Sequence, residues 1–210
     1  MLNKNRRITF PVIVSAPSGT GKTSICRFCA KKLKGLKYSV SVTTRPKRKG
    51  EANRRDYYFV TEDEFKLWIE QKKFIEWTSF HGFYYGTLKE KFESMLENGY
   101  DVVADLDING GKNMMKRYPE GVFIYLLPPS MGELKRRLLK RGTDPLSVIS
   151  QRLSKVFEEV RYAKGYTYIV VNKTFQTTVE SIILIIEAER LKTSRFETYL
   201  NHLKEEEWRE

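Results

Sequence analysis

At 210 residues, 40% hydrophobic and 30% charged, the chain can bury roughly 70% of its unfolded surface, so it needs no disulfide or metal staple and is not a small secreted scaffold. Its 13 Gly and 7 Pro exclude a fibrous or disordered chain, and apolar runs such as Ile182 to Ile186 fall far short of the ~20 residues of a membrane span. The net charge of +12 is concentrated: Thr43 to Asp56 holds six basic and two acidic residues and Met131 to Lys155 seven and two, so two segments are built to meet anions.

Near the start, the basic residues Lys4, Arg6 and Arg7 lead into a strand-like run without a signal-peptide core, which makes a cytoplasmic address the expectation. Phe10 to Ser15 reads as a buried parallel strand entering a loop at Pro17 and Gly19. A helix is predicted from about Gly21, with Ile25, Phe28, Cys29 and Leu33 on one face and Gly35 as its stop. Tyr38 to Val42 reads as a short strand. Thr61 with Glu64 is a capping-box signature for a helix running to about Lys73, with Phe65, Trp68 and Ile69 as its apolar stripe. Short strands are predicted at Phe74 to Trp77 and Tyr84 to Thr87, around a turn at His81 and Gly82. A helix over Leu88 to Glu97 ends at Asn98 and Gly99. Strands follow at Tyr100 to Leu106 and Val122 to Leu127, the latter broken by Pro128 and Pro129. Helices are predicted from Met131 to Lys140 and from Asp144 to about Ala163, then a strand at Tyr168 to Val171 and a helix from Val179 to Arg190. Alternating strands and helices imply an α/β fold with a parallel sheet flanked by helices, interrupted by a mixed α/β insertion over about 38–99. The tail, 191–210, is charged and helical in pattern.

The strongest local signal is Ala16-Pro17-Ser18-Gly19-Thr20-Gly21-Lys22-Thr23 between an apolar strand and a helix. Glycines let successive backbone N–H groups turn around an anion, the helix N-terminus adds partial positive charge, Lys22 reaches β- and γ-phosphates, and the Thr23 hydroxyl suits Mg²⁺. The first glycine of the usual G-x-x-x-x-G-K-[ST] pattern is Ala16 here. Further on, Ser41 to Glu51 (SVTTRPKRKGE), Asp56-Tyr57, Phe74-Ile75-Glu76-Trp77 and Tyr84-Tyr85-Gly86-Thr87 follow in order. Then come Asp105-Leu106-Asp107, Arg141-Gly142-Thr143-Asp144, Arg152-Leu153 and Val170-Val171-Asn172.

On these motifs, in this order, the chain resembles the guanylate kinases from the phosphate loop to about residue 190. The resemblance implies a P-loop NTPase-like sheet, with a GMP-binding lobe at about 38–99 and a helical lid at about 131–155. It also implies ATP as phosphoryl donor, GMP as acceptor and Mg²⁺, and residues 16–23 would hold ATP. Arg45 and Arg48 would clamp the GMP phosphate as bidentate forks, with the Tyr57 and Tyr85 hydroxyls completing the cage. Glu76 would accept from guanine N1–H and N2–H₂, which adenine cannot satisfy, and Ser41 and Thr87 would complete the base pattern. Lys22, Mg²⁺ and the lid arginines Arg137, Arg141 and Arg152 would neutralise charge during transfer. Asp105 and Asp107 would orient the acceptor side or the metal's water shell, and Asn172 would contact adenine.

Cys26 and Cys29 form a C-x-x-C inside the helix after the loop, without two further ligands for zinc, and read as buried thiols. His81 and His202 have no partners at ligand spacing. Two other classes compete with the kinase: a catalytically dead binding module, opposed by Lys22, Thr23 and the lid arginines, and a basic nucleic-acid binder, made unnecessary if the charge serves two nucleotide phosphate sites. Neither a polynucleotide nor a membrane is an expected partner. Among enzymes, another nucleoside monophosphate kinase is the runner-up, opposed by Glu76.

Overall fold

The computed structural model describes residues 7–17, 19–80, 82–141 and 146–207. A five-stranded parallel sheet carries the fold in the order β2 (Leu36–Tyr38), β7 (Asp101–Asp105), β1 (Pro11–Ser15), β8 (Val122–Leu127), β9 (Tyr168–Val171). β1 lies at the centre and is buried throughout. Its alternation divides the core in two. Val12 and Val14 face a cluster with Ile25 and Cys29 of α1 (Lys22–Lys32) and with Val179, Ile182 and Ile186 of α7 (Phe175–Arg190). Ile13 faces the opposite cluster, with Phe92 of α3 (Lys89–Glu97) and Met114 of α4 (Ile108–Arg117). A strand buried on both faces has no polar side, which explains its continuous apolar run.

A second, mixed sheet forms the inserted lobe, in the order β4 (Tyr58–Phe59), β3 (Val42–Thr43), β6 (Phe83–Leu88), β5 (Phe74–Phe80). It is joined by α2 (Glu62–Glu70), whose capping box is formed in full by Thr61 and Glu64. α5 (Met131–Arg141) and α6 (Leu146–Arg161) pack on each other through Leu134, Leu138, Ile149 and Val156, a small core of their own. α8 (Glu197–Glu207) closes the described chain.

Several boundaries differ from the sequence reading. Tyr38 to Val42 is not one strand: Ser39 N–H still bonds Val103 in the central sheet, whereas Val42 already pairs in the second, so the chain changes sheets between them. α2 stops at Glu70, because Gln71 N–H folds back on Leu67 and Ile69 and Lys72 takes a positive φ of 52°. β5 and β6 are longer than predicted, since cross-strand pairing extends a regular hairpin past the apolar residues. α7 begins at Phe175, capped by the Thr174 hydroxyl. α4 and β4 went unpredicted. Gly110 and Gly111 hide α4, which Asp107 caps by accepting from Gly110 N–H at 2.7 Å. Asp144, the predicted start of α6, lies outside the described residues.

Candidate active site

The cleft lies at the carboxyl end of the central strands, where β1 gives way to α1 and the inserted lobe leans over it. Open α/β sheets bind ligands there. It encloses about 640 Å³. The loop side is walled by Ala16, Pro17, Gly19, Thr20, Gly21, Lys22, Thr23 and Ser24, the lobe side by Ser41, Arg45, Arg48, Tyr57, Glu76, Thr78, Phe83, Tyr85 and Gly86, with the Tyr57 hydroxyl meeting that of Thr23 across the cleft. Asp105, Leu106, Asp107, Ile108 and Glu159 lie between.

At the loop end, Gly19 and Gly21 have φ of 90° and 81°, a region that L side chains rarely adopt. A Cβ on Gly19 would also stand 2.5 Å from Leu138 Cδ2, so α5 rests directly on the phosphate loop. Lys22 Nζ donates to the Ala16 carbonyl at 2.9 Å, spanning the loop. Thr23 Oγ1 donates to Asp105 Oδ2 and the Tyr38 hydroxyl to Asp105 Oδ1, both at 2.6 Å. Burial, with the Asp105 charge beside it, pushes the Tyr38 phenol up, so it stays a donor.

At the lobe end, a register shift between Phe74 and Glu76 sets a bulge in β5, beyond which Glu76 pairs with Thr87 and Thr78 with Tyr85. Bulges re-aim side chains. Glu76 is 5% exposed and accepts from Thr87 Oγ1 at 2.6 Å. Burial pushes its carboxyl up to about 7; the Thr87 hydrogen bond works against the rise and the nearby Asp107 charge adds to it. A Cβ on Gly110 would come within 2.7 Å of Glu76 Oε2 and 3.3 Å of Asp107 Oδ1, so the glycine lets α4 approach the carboxylate. Arg45, 9% exposed, holds Glu51 at 2.8 and 3.1 Å and lies 5.5 Å over the Tyr57 ring. Glu51 also accepts from Arg48 N–H at 2.8 Å. Tyr57 packs edge-on to Tyr85, ring centroids 6.2 Å apart.

Fifteen residues singled out from the sequence thus line one cleft: Ala16, Pro17, Gly19, Thr20, Gly21, Lys22, Thr23, Ser41, Arg45, Arg48, Tyr57, Glu76, Tyr85, Asp105 and Asp107. Thr87 backs it through Glu76. Two are placed elsewhere. Arg137 does not line the cleft; it bonds Glu133 at 2.7 Å and the carbonyls of Asn172 and Lys173 at 3.2 and 3.1 Å. Asn172 is 3% exposed, donating to the Thr20 carbonyl at 2.6 Å and accepting from Thr178 at 3.2 Å. Both ends of its amide brace the phosphate loop from behind. Ser18 and the side chains of Arg141 and Arg152 lie outside the described residues. Thr78 and Phe83 were missed because the strands were drawn short; period-2 alternation from Glu76 points to Thr78. Tyr38 was missed because nothing local marks its partner, 67 residues away. Cys26 and Cys29 are buried free thiols. Among the described residues no helix is long and apolar enough to cross a membrane.

A parallel sheet with a glycine-lined loop between β1 and α1, and a second polar lobe facing that loop's lysine, defines a P-loop phosphotransferase. The protein-family model described as guanylate kinase matches residues 8–189. The guanylate kinase of Caldanaerobacter subterraneus subsp. tengcongensis is 43% identical over 195 residues, covering 93% of this chain and 95% of that one. That of Thermotoga maritima is 41% identical over 194 residues, covering 92% and 94%. The crystal structure of guanylate kinase from Anaplasma phagocytophilum superposes with a TM-score of 0.76 at 30% identity, covering 92% of each chain. The chain belongs to the guanylate kinase family.

Proposed function

We propose that this enzyme transfers the γ-phosphoryl group of ATP to GMP, giving ADP and GDP, with Mg²⁺, in purine nucleotide metabolism. The observation that carries the reading is the polarity of the single cleft: a phosphate loop with Lys22 and Thr23 at one end, and a buried carboxylate beside an arginine–tyrosine cluster at the other. Family membership supports the reaction, and the residue roles follow from chemistry. Residues 16–23 take the donor phosphates on backbone N–H groups at the start of α1, and the Lys22 ammonium lies within the same loop to meet the transferring group. Arg45 and Arg48 take the acceptor phosphate, with the Tyr57 and Tyr85 hydroxyls as further donors. Glu76, held by Thr87, accepts from guanine N1–H and N2–H₂, and Ser41 lies at the same end.

Thr23 and Asp105 fit Mg²⁺: a hydroxyl and a carboxylate meet at 2.6 Å beside the phosphate loop, and hard oxygen donors with substrate phosphates are what this ion takes. When bound, Mg²⁺ neutralises charge on the phosphates. Asp107, capping α4, holds the acceptor side. We assign the lobe at about 38–99 to GMP, and the α5–α6 pair, about 131–155, to a lid whose Arg137, Arg141 and Arg152 add positive charge on closure. Buried reduced thiols fit a cytoplasmic setting, and no polynucleotide is needed to explain the charge.

The test is ADP release from ATP and Mg²⁺ with GMP, dGMP, AMP, CMP, UMP and dTMP offered in turn. Turnover confined to guanine nucleotides is expected. Turnover with another base would overturn the role of Glu76, and silence with all six in folded protein would overturn the enzyme in favour of a binding module.

A further inference from the structure

Arg27 does not line the cleft, yet it grips the loop that carries a cleft residue. From α1 its Nη1 donates to Asp56 Oδ1, and its Nη2 to the carbonyls of Arg55 and Asp56 at 2.9 and 2.8 Å. These two residues immediately precede Tyr57. Asp56 also accepts from Ala52 N–H at 2.8 Å and Arg55 Nε at 2.9 Å. The Arg27 hydrogen bond, with that of Ala52, holds the Asp56 carboxyl well below the usual range. A single planar fork thus holds side chain and main chain of consecutive residues, a geometry that a lysine ammonium cannot reproduce. Arg55, 64% exposed, would hold Asp56 only weakly if left alone with it.

The same guanidinium lies 5.1 Å over the Tyr38 ring. Tyr38 in turn holds Asp105, which takes the Thr23 hydroxyl. On the loop side, Tyr57 packs against Tyr85 and beneath the Arg45 guanidinium. The contacts therefore run without a break from the arginine–tyrosine cluster, through Arg27, to the phosphate loop.

We propose that Arg27 is a positioning residue for the acceptor nucleotide: by anchoring residues 55 and 56 to α1 it fixes Tyr57, and with it Arg45, at the height above the phosphate loop that a nucleoside monophosphate requires. This rests on the reading that Tyr57 belongs to the acceptor phosphate cage. The experiment compares wild type with Arg27→Met, Arg27→Lys and Tyr57→Phe in KM for GMP, KM for ATP, kcat and melting temperature. Methionine keeps an unbranched apolar stem and removes every donor together with the cation over Tyr38. It should raise KM for GMP on the order of 10-fold, the worth of charge-assisted hydrogen bonds lost, and leave KM for ATP and kcat within about 2-fold. Lysine should recover only part.

An unchanged KM for GMP with a lowered melting temperature would show a structural clamp and overturn the proposal, as would an equal rise in both KM values. Tyr57→Phe separates the two levels. If it raises KM for GMP and Arg27→Met does not, the Arg27 proposal alone fails; if it leaves KM for GMP unmoved, the cage reading fails and takes the proposal with it. Should Arg27→Met not fold, Asp56→Asn keeps the loop's shape and must show the same split in weaker form, or the proposal is wrong.

Discussion

Replacing Glu76 by glutamine probes the proposed acceptor site, because the side chain keeps its size and loses its charge. In the free protein burial raises the carboxyl from its ordinary 4.5 to about 7, which corresponds to about 3 kcal/mol of preference for the neutral form. Below pH 4.5 the group is neutral whether the chain is folded or not, and it costs nothing. Between pH 4.5 and 7 the unfolded chain ionises the group freely while the dry site keeps it protonated, so stability falls across that window and the full penalty stands above neutrality. Glu76→Gln should therefore melt several degrees higher than wild type at pH 8, by roughly 2–4 °C per kcal/mol, and no higher at pH 4. GMP reverses the balance. Guanine presents two donors to an acceptor-only carboxylate, whereas glutamine offers one acceptor and sets its own N–H₂ against a donor. Weakening one charge-assisted bond to a neutral one and replacing the other by opposed donors is worth about 3–5 kcal/mol, on the order of 10²- to 10⁴-fold in kcat/KM for GMP. The wild-type KM for GMP should also climb about tenfold per pH unit below 7, as the carboxylate fills with a proton. Glutamine should keep only the shallower titration of the GMP phosphate near pH ~6. Calorimetry at pH 4 and 8, with ADP-release kinetics from pH 5 to 8, checks all of this. A variant that keeps the wild-type preference for GMP over AMP, or a melting difference that does not change between pH 4 and 8, would refute the reasoning.

Lys22→Met should lower kcat by on the order of 10²-fold or more with the melting temperature nearly unchanged, since the lysine's bond to the Ala16 carbonyl is a minor contributor to folding beside its proposed electrostatic role in transfer; a coupled assay with thermal denaturation reads both. Gly110→Ala places a methyl 2.7 Å from Glu76 Oε2, and the about 1–3 kcal/mol of overpacking should appear as a raised KM for GMP with KM for ATP unmoved. Asp101 is fully buried and accepts from Arg7, from Arg190 Nε at 2.8 Å and from Phe10 N–H at 3.2 Å. Asp101→Asn leaves two guanidinium groups without their counter-charge and should cost about 3–5 kcal/mol, a fall on the order of 10 °C in calorimetry, while substrate KM values stay put.

The phosphate loop was legible because its chemistry is local: eight consecutive residues carry the turn, the dipole and the lysine. The central strands were legible for the same reason, β1 and β8 being buried on both faces and therefore almost uniformly apolar. What escaped depends on distance. Gly110 and Gly111 weaken any helical signal, yet one must admit Glu76 Oε2 and the other faces the Tyr166 hydroxyl, where a Cβ would stand at 2.3 Å; a propensity argument sees the cost of a glycine and not its clearance. Tyr38, Arg27 and Asp56 are ordinary residues in sequence that become a linked set only through tertiary pairing. Asn172 shows the converse. Its place at a strand end marks it as polar and important, but the strand end alone does not reveal whether the amide faces a ligand or the back of the loop, and the structure turns it toward Thr20.

The distribution of charge gains its meaning from the same pairing. Thr43 to Asp56 reads in sequence as one basic segment built to meet anions, and its arginines divide by environment. Arg55 is exposed, whereas Arg45 is 9% exposed, lines the cleft and already holds a carboxylate, Glu51. A guanidinium desolvated to that degree needs a fixed anion beside it, and Glu51 supplies one on the same short loop. An arriving phosphate, with more charge and more acceptor oxygens than a carboxylate, competes for that fork or shares it. Arg45 is thus kept aimed and paid for by Glu51 rather than left to search for a geometry when substrate arrives, which lowers the ordering cost of binding. Arg27 with Asp56 repeats the device one turn of the loop away, and Arg137 with Glu133 repeats it on α5. An excess of twelve positive charges need not spread a diffuse field over the surface when arginines such as Arg45 in the cleft, and Arg27 and Arg137 outside it, are each tied to an acidic neighbour.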